Sequence, residues 1–151
     1  HNHLQVKHLV YKEETRMEDR KTMELATQWG STVEVQLEIN NYMNNNGLYL
    51  GLMGREEDYF EPYGDISVNL GTKAPDYCAY VDLNNMPELE KFIEENDLGE
   101  FTGLAQRSGF CEYPLYMFNV DKLRELCPDE MATYEANIGI AKKPETKEMS
   151  R

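Results

Sequence analysis

The chain has 151 residues, a net charge of −13 and 40% apolar content, enough for one domain with its own core. Residues 32–141 hold six basic and 21 acidic residues, so their net charge is −15. This deficit of Lys and Arg disfavours binding to nucleic acid or to an anionic membrane surface. No apolar run approaches the roughly 18 residues needed to span a bilayer. Since no signal peptide opens the sequence, we expect a cytoplasmic protein.

Residues 1–21 mix charges of both signs without a clear period, and we interpret them as a leader that is partly disordered or was added in cloning. From Thr22 the sequence predicts a strand, a turn and a second strand over residues 32–40, where apolar residues alternate with Glu34, Gln36 and Glu38. Further strands are predicted at residues 48–53, 65–70 and 77–83. This order is typical of an antiparallel meander.

Helices follow the strands. "NNMPELEKFIEEN" predicts a helix capped by Asn85 and ended by Gly99, and Asn119 is expected to cap a short helix that stops at Pro128. Residues 128–139 allow one or two more helical turns, and residues 142–151 are predicted to be a disordered tail. The fold class predicted for residues 22–141 is a single α+β domain: an antiparallel sheet meander with two or three short helices packed on one face.

Four segments carry a resemblance to a known family: "PYGDISVNL", "YCAYVDLNNMPE", "GFCEYPLYMFN" and "DKLREL". The chain resembles a family of small uncharacterised proteins, a domain of unknown function, carried by conjugative or other mobile elements of Gram-positive gut bacteria. The resemblance covers roughly residues 22–140, and the leader is additional to it. It implies an accessory protein of a mobile element, and it supplies no activity and no catalytic residues.

The distribution of histidine and cysteine argues against an enzyme. All three histidines lie in the first eight residues, so the rest of the chain can form no Ser–His or Cys–His nucleophile. The three cysteines form no CxxC pair and have no histidine nearby, which disfavours a zinc site and favours buried apolar roles. We therefore predict no catalytic residues, no metal and no cofactor.

The segment Glu56–Asp65, "EEDYFEPYGD", joins two predicted strands and combines five carboxylates with three aromatic residues. A solvated hairpin tip explains this composition without any function. A binding surface also explains it, because carboxylates complement a basic groove and aromatic residues are frequent in binding hot spots. The residues of this candidate surface are Glu56, Glu57, Asp58, Tyr59, Phe60, Glu61, Tyr63 and Asp65.

We therefore expect a non-enzymatic acidic protein that binds a basic protein partner through this segment and the acidic face of the 32–39 strand. A nucleic-acid-binding protein is the favoured partner, by analogy with acidic proteins that mimic DNA. The alternative is a small-molecule-binding domain or an enzyme centred on a pocket lined by Tyr77, Tyr80, Cys111 and Tyr113. A third hypothesis is an assembly domain that pairs an exposed strand edge with its own copy.

Overall fold

A computed structural model describes residues 20–140. Within this range the chain forms two antiparallel sheets of four strands and three short helices, which confirms the predicted α+β class. The predicted tail (142–151) and all of the leader except Arg20 and Lys21 lie outside the described residues. None of the helices within residues 20–140 combines the length and apolar content that a bilayer crossing requires.

Sheet 1 has the strand order β1–β2–β3–β4, and its strands are β1 (Met23–Ala26), β2 (Thr32–Asn41), β3 (Leu48–Glu56) and β4 (Tyr59–Asp65). Sheet 2 has the order β5–β6–β8–β7, and its strands are β5 (Ser67–Val68), β6 (Cys78–Val81), β7 (Gly99–Ser108) and β8 (Cys111–Phe118). The helices are α1 (Leu89–Glu95), α2 (Val120–Leu126) and α3 (Pro128–Asn137).

The chain passes from one sheet to the other at Ile66, which is fully buried. Its N–H donates to the carbonyl of Leu50 in sheet 1 (2.9 Å), and its carbonyl accepts from Asp82, just after β6 (3.0 Å). The segment predicted as one strand over residues 65–70 is therefore divided between β4 and β5. For this reason the meander that we expected as one sheet is two sheets around a shared core.

The core is one cluster to which both sheets and all three described helices contribute. On β2 the predicted alternation holds in part, since Val35, Leu37 and Ile39 are buried while Glu34 and Glu38 are directed outward. Gln36, which was predicted to face water between the two carboxylates, is fully buried. Helix α1 lies against β1 and β7. It buries the side chains predicted to face inward, which are Leu89, Phe92 and Ile93.

Helices α2 and α3 cover part of the edge of β2. Strand β1 pairs with β2 only from Thr32 to Val35, so the rest of that edge has no neighbouring strand. There, the Ile39 N–H donates to Glu130 Oε1 of α3 (2.7 Å), and the Cys127 thiol donates to the Leu37 carbonyl (3.2 Å). Side chains from the helices thus satisfy backbone groups that a strand would otherwise pair.

Local capping differs from the sequence prediction at one helix and agrees at another. Helix α1 begins at Leu89 instead of next to Asn85, because Asp82 accepts hydrogen bonds from both the backbone and the side chain of Asn85 in a separate turn. Asn119 caps α2 as predicted, since its side chain accepts from the backbone N–H of Lys122 (3.2 Å).

Candidate protein-binding surface

The outer face of sheet 1 carries a row of side chains across all four strands. Glu24 of β1 lies directly opposite Glu34 of β2, and Arg55 of β3 lies opposite Phe60 of β4. Arg55 Nε donates to Glu34 Oε1 (2.9 Å), and its guanidinium carbon lies 4.6 Å from the centre of the Phe60 ring. Arg55 therefore interacts with both the Glu34 carboxylate and the Phe60 ring, while Glu24 lies across from the same Glu34 carboxylate.

A second row crosses the same face nearer the other end of the strands. Glu38 of β2 and Asp65 of β4 both lie opposite Gly51 of β3. The Tyr49 ring occupies the space above Gly51, where any Cβ would collide with its hydroxyl. That hydroxyl donates to Asp65 Oδ1 (2.7 Å). The glycine thus allows a tyrosine to lie flat between two carboxylates.

The carboxylates of this face are close enough to affect one another's ionisation. The pKa of Glu38 is raised above its usual value by burial and by the negative charges of Glu130 and Asp65, against the opposing effect of Arg20. The pKa of the Tyr49 hydroxyl is raised by burial and by the hydrogen bond to Asp65. A positive charge brought to this face would relieve the repulsion between these groups.

A groove of about 750 Å³ lies beside this face, between β2 and the corner where α2 meets α3. Its charged lining residues are Arg20, Lys21, Glu38, Glu125, Asp129 and Glu130. Both cations are already in ion pairs of 2.8 Å, with Glu130 and Glu125 respectively. The groove therefore extends the negative charge of the outer face of sheet 1 towards the helices.

The β3–β4 hairpin ends in a two-residue turn, Glu57–Asp58, with Glu57 at φ +58°. Glu56, Glu57 and Asp58 are exposed there. The register changes between Leu52 and Met53, so that Tyr63 is the extra residue of a β-bulge on β4.

We use the name acidic surface for the outward carboxylates of sheet 1 together with those of the hairpin. Its members are Glu24, Glu34, Glu38 and Asp65 on the sheet and Glu56, Glu57, Asp58 and Glu61 on the hairpin.

The structure places all eight predicted binding residues on the β3–β4 hairpin but divides them between its faces. Phe60 and Asp65 lie on the outer face of sheet 1, where Arg55 and Tyr49 contact them. By register, Tyr59 and Glu61 lie on the opposite face. Of the aromatic residues, Tyr59 and Tyr63 stay more than a third exposed (39% and 38%) and could contact a partner.

The comparisons with known proteins identify a family but no activity, ligand or partner. A family model described as Domain of unknown function (DUF4313) matches residues 36–138. The chain belongs to the DUF4313 family. Searches of curated proteins and of solved structures each returned no significant match. The DUF4313 span begins within β2 and ends just after α3, so it includes most of the acidic surface but neither Glu24 on β1 nor Glu34 on β2.

The four residues of the alternative pocket also lie within the DUF4313 span. Tyr80, Cys111 and Tyr113 are on the outer face of sheet 2, around Leu115. Tyr77 does not join them, because its hydroxyl donates to Glu135 of α3 and its N–H donates to the Tyr134 hydroxyl (3.0 Å). The structure therefore brings three of these residues together and directs the fourth towards the helices.

The cysteines of the DUF4313 domain differ in their surroundings. Cys78 and Cys127 are buried, and burial raises the pKa of the Cys127 thiol to about 12 and also raises the pKa of Cys78. Cys111 is partly exposed. Among residues 20–140, no three His, Cys, Asp or Glu side chains are grouped so that they could hold a metal ion.

Two contributors to the acidic surroundings were missed from the sequence. Glu24 could have been found, since Met23 and Leu25 are buried on either side of it in the alternation of a short strand. Glu130 gave no comparable signal, because its contact with Ile39 joins residues 91 positions apart in the chain. Only the packing of α3 against β2 brings them together.

Proposed function

We propose that this DUF4313 protein binds a basic protein partner through its acidic surface. The observation that carries the proposal is the charge imbalance on the outer face of sheet 1. Among the outward-facing positions of its four described strands, Arg55 is the one cation, and it already pairs with Glu34. Glu24, Glu38 and Asp65 share the face, and the pKa of Glu38 is raised mainly by burial, with Glu130 and Asp65 adding to it. A basic side chain placed here would stabilise the ionised carboxylates.

The shape of the surface supports a protein as the ligand. A sheet face and a projecting hairpin form an extended surface, which suits an interface better than it suits a small molecule. The rings of Tyr59 and Tyr63 are exposed on the face of the hairpin opposite Asp65. There they offer apolar contact area beside Glu56 and Glu61, an arrangement favoured in binding hot spots. Lys and Arg side chains of a partner would then pair with the surrounding carboxylates.

The finer proposal concerns the partner's identity. A nucleic-acid-binding protein presents a basic groove that an acidic protein can occupy in place of DNA. The sequence resemblance to proteins of mobile elements makes a regulatory or defence protein of the element or its bacterial host the favoured candidate. In that setting the protein is a non-enzymatic accessory factor that competes with nucleic acid for the partner.

The test is affinity capture from a lysate of a Gram-positive gut bacterium, with the captured proteins identified by mass spectrometry. The bait is the parent chain beside a variant in which four exposed hairpin carboxylates become amides: E56Q, E57Q, D58N and E61Q. A matched control changes four exposed carboxylates elsewhere, E90Q, E94Q, E100Q and E112Q, so that both variants have the same net charge.

The proposal predicts a basic protein that the parent and the control capture, that the hairpin variant does not, and that moderate salt releases. Double-stranded DNA should compete for it if the partner binds nucleic acid. If all three baits capture the same proteins, or if capture does not respond to salt, the hairpin carboxylates do not bind the partner, which contradicts a binding site that includes them.

A further inference from the structure

Exposed apolar side chains are concentrated on the β7–β8 hairpin. Phe101, Leu104 and Met117 are 54%, 64% and 57% exposed, and Phe110 at the tip is fully exposed. Strand β7 is an edge of sheet 2, and all but two of its residues are exposed. A soluble monomer seldom presents this much apolar side chain on one element, so the hairpin is a candidate contact surface.

The charge of the hairpin indicates what could cover it. Residues 99–110 contain one acidic and one basic side chain, Glu100 and Arg107, in a chain whose net charge is −13. A basic partner would find no excess of carboxylates here. On β8, Glu112 lies opposite Arg107, so a second copy that is repelled by the acidic surface meets a net charge of only −1 on the whole β7–β8 hairpin.

The directions of the apolar side chains indicate how a second copy would bind. Phe101 lies opposite Tyr116 and Met117 lies opposite Glu100, so Phe101 and Met117 are on opposite faces of the sheet. Packing of one sheet face would cover only one of them. Pairing of two β7 edges through the second half of the strand instead brings a neighbouring strand beside Leu104 and close to Phe110, and it leaves Phe101 and Met117 outside the paired segment.

The second half of β7 also has backbone groups directed at the free edge. The hairpin closes with the pair Ser108–Cys111 around the two-residue turn Gly109–Phe110, and Ala105 lies opposite Pro114. Because proline has no N–H and hydrogen-bonded pairs alternate along an antiparallel ladder, the N–H and C=O groups of Ala105 and Arg107 are directed away from β8. They are open to another strand.

The geometry points to a homodimer in which the second half of β7 pairs antiparallel with the same segment of a second copy. A twofold axis at Gln106 places Ala105 of each copy opposite Arg107 of the other, so that their outward backbone groups bond to each other. In the same register Leu104 lies opposite Ser108 and diagonal to Phe110 of the second copy. The irregularity between Phe101 and Ala105 includes Leu104, so the paired segment ends at Leu104 and is short.

The first test is sedimentation equilibrium of the full chain from about 10 μM to 1 mM, the range expected for a small interface. We expect a monomer–dimer equilibrium that strengthens as salt is added, because salt screens the repulsion between two acidic copies. Capture of a basic partner has the opposite salt dependence, so the two proposals can fail separately. A monomer at the highest concentration and salt overturns this inference.

Two pairs of variants locate the contact. Leu104→Lys should weaken dimerisation at least tenfold, whereas Met43→Lys, which makes the same charge change at another exposed apolar residue, should leave it unchanged. Gln106→Cys should form a covalent dimer under mild oxidation, because the two side chains are direct cross-strand neighbours, and Met43→Cys should not. Dimerisation that survives Leu104→Lys, or a dimer that Gln106→Cys does not cross-link, contradicts pairing through β7.

Discussion

At the scale of single residues, Glu135 illustrates how a buried charge is satisfied in this fold. It is 3% exposed, and its Oε2 accepts from the Tyr77 hydroxyl and from Arg124 Nη2 (2.6 Å). Burial alone would raise the pKa of Glu135, but the hydrogen bonds and charge of its two partners outweigh burial and lower the pKa. These contacts also hold Tyr77 at φ +67°, a conformation that an aromatic residue seldom adopts.

We expect Glu135→Gln to destabilise the protein by about 1–3 kcal/mol at neutral pH, because a charge-assisted buried bond is lost. The folded-state pKa of Glu135 lies below the unfolded-state value near 4.5, so its contribution is present above that value and is lost as the pH falls through the lower one. Urea unfolding of parent and variant at neutral and acidic pH measures this. A difference in stability that stays constant with pH would contradict the assignment.

At the scale of secondary structure, the attachment of α3 to β2 depends on Glu130. Its two carboxylate oxygens accept from the Ile39 N–H (2.7 Å) and from Arg20 Nη2 (2.8 Å), and Arg20 Nη1 in turn donates to the Leu37 carbonyl (3.3 Å). Together with Arg20 and the Cys127 thiol, Glu130 thus bonds to backbone groups of the β2 edge that β1 leaves unpaired.

Glu130→Ala should lower the free energy of unfolding by about 1–3 kcal/mol, because the Ile39 N–H loses its acceptor. The more specific readout is amide hydrogen exchange. Exchange at Ile39 should become faster than the loss of global stability explains, while Leu52 on β3 should change only with global stability. Equal acceleration at both amides would mean that Glu130 stabilises the fold without closing this edge.

The elements that the sequence predicted best are those with one buried and one solvated face. β2 buries the apolar residues expected of it, although Gln36 between them is buried too, and α1 buries Leu89, Phe92 and Ile93, as expected from its helical period. β7 was not predicted, because it is exposed on nearly every residue and carries no period of two. The break at Ile66 was also missed, since a buried residue at a bend looks like any buried strand residue in the sequence.

The candidate surface was predictable in part, because its elements also show local patterns in the sequence. The acidic alternation on β2 and the composition of residues 56–65 identified both of its main elements. Their relation depends on strand order, since β3 separates β2 from β4 and supplies Arg55 to Glu34 and Tyr49 to Asp65. Contacts of this kind join distant parts of the chain, and no local pattern encodes them.

At the scale of the whole molecule, two surfaces of different chemistry are separated on the two sheets. The outer face of sheet 1 and its hairpin carry carboxylates, and the β7–β8 hairpin of sheet 2 carries exposed apolar residues with no net charge over residues 99–110. Added salt should weaken binding at the first surface and strengthen association at the second. A dimer through β7 would leave both acidic surfaces free, so that each could hold a basic partner.

The central claim is that the acidic surface binds a basic protein. The most direct measurement is the dissociation constant of a captured partner at low and moderate salt for the parent, the hairpin variant and the charge-matched control. We predict that the hairpin variant binds at least about tenfold more weakly, that the control stays within about twofold of the parent, and that salt weakens the parent most. Equal weakening in both variants would show that only net charge matters and would contradict the claim.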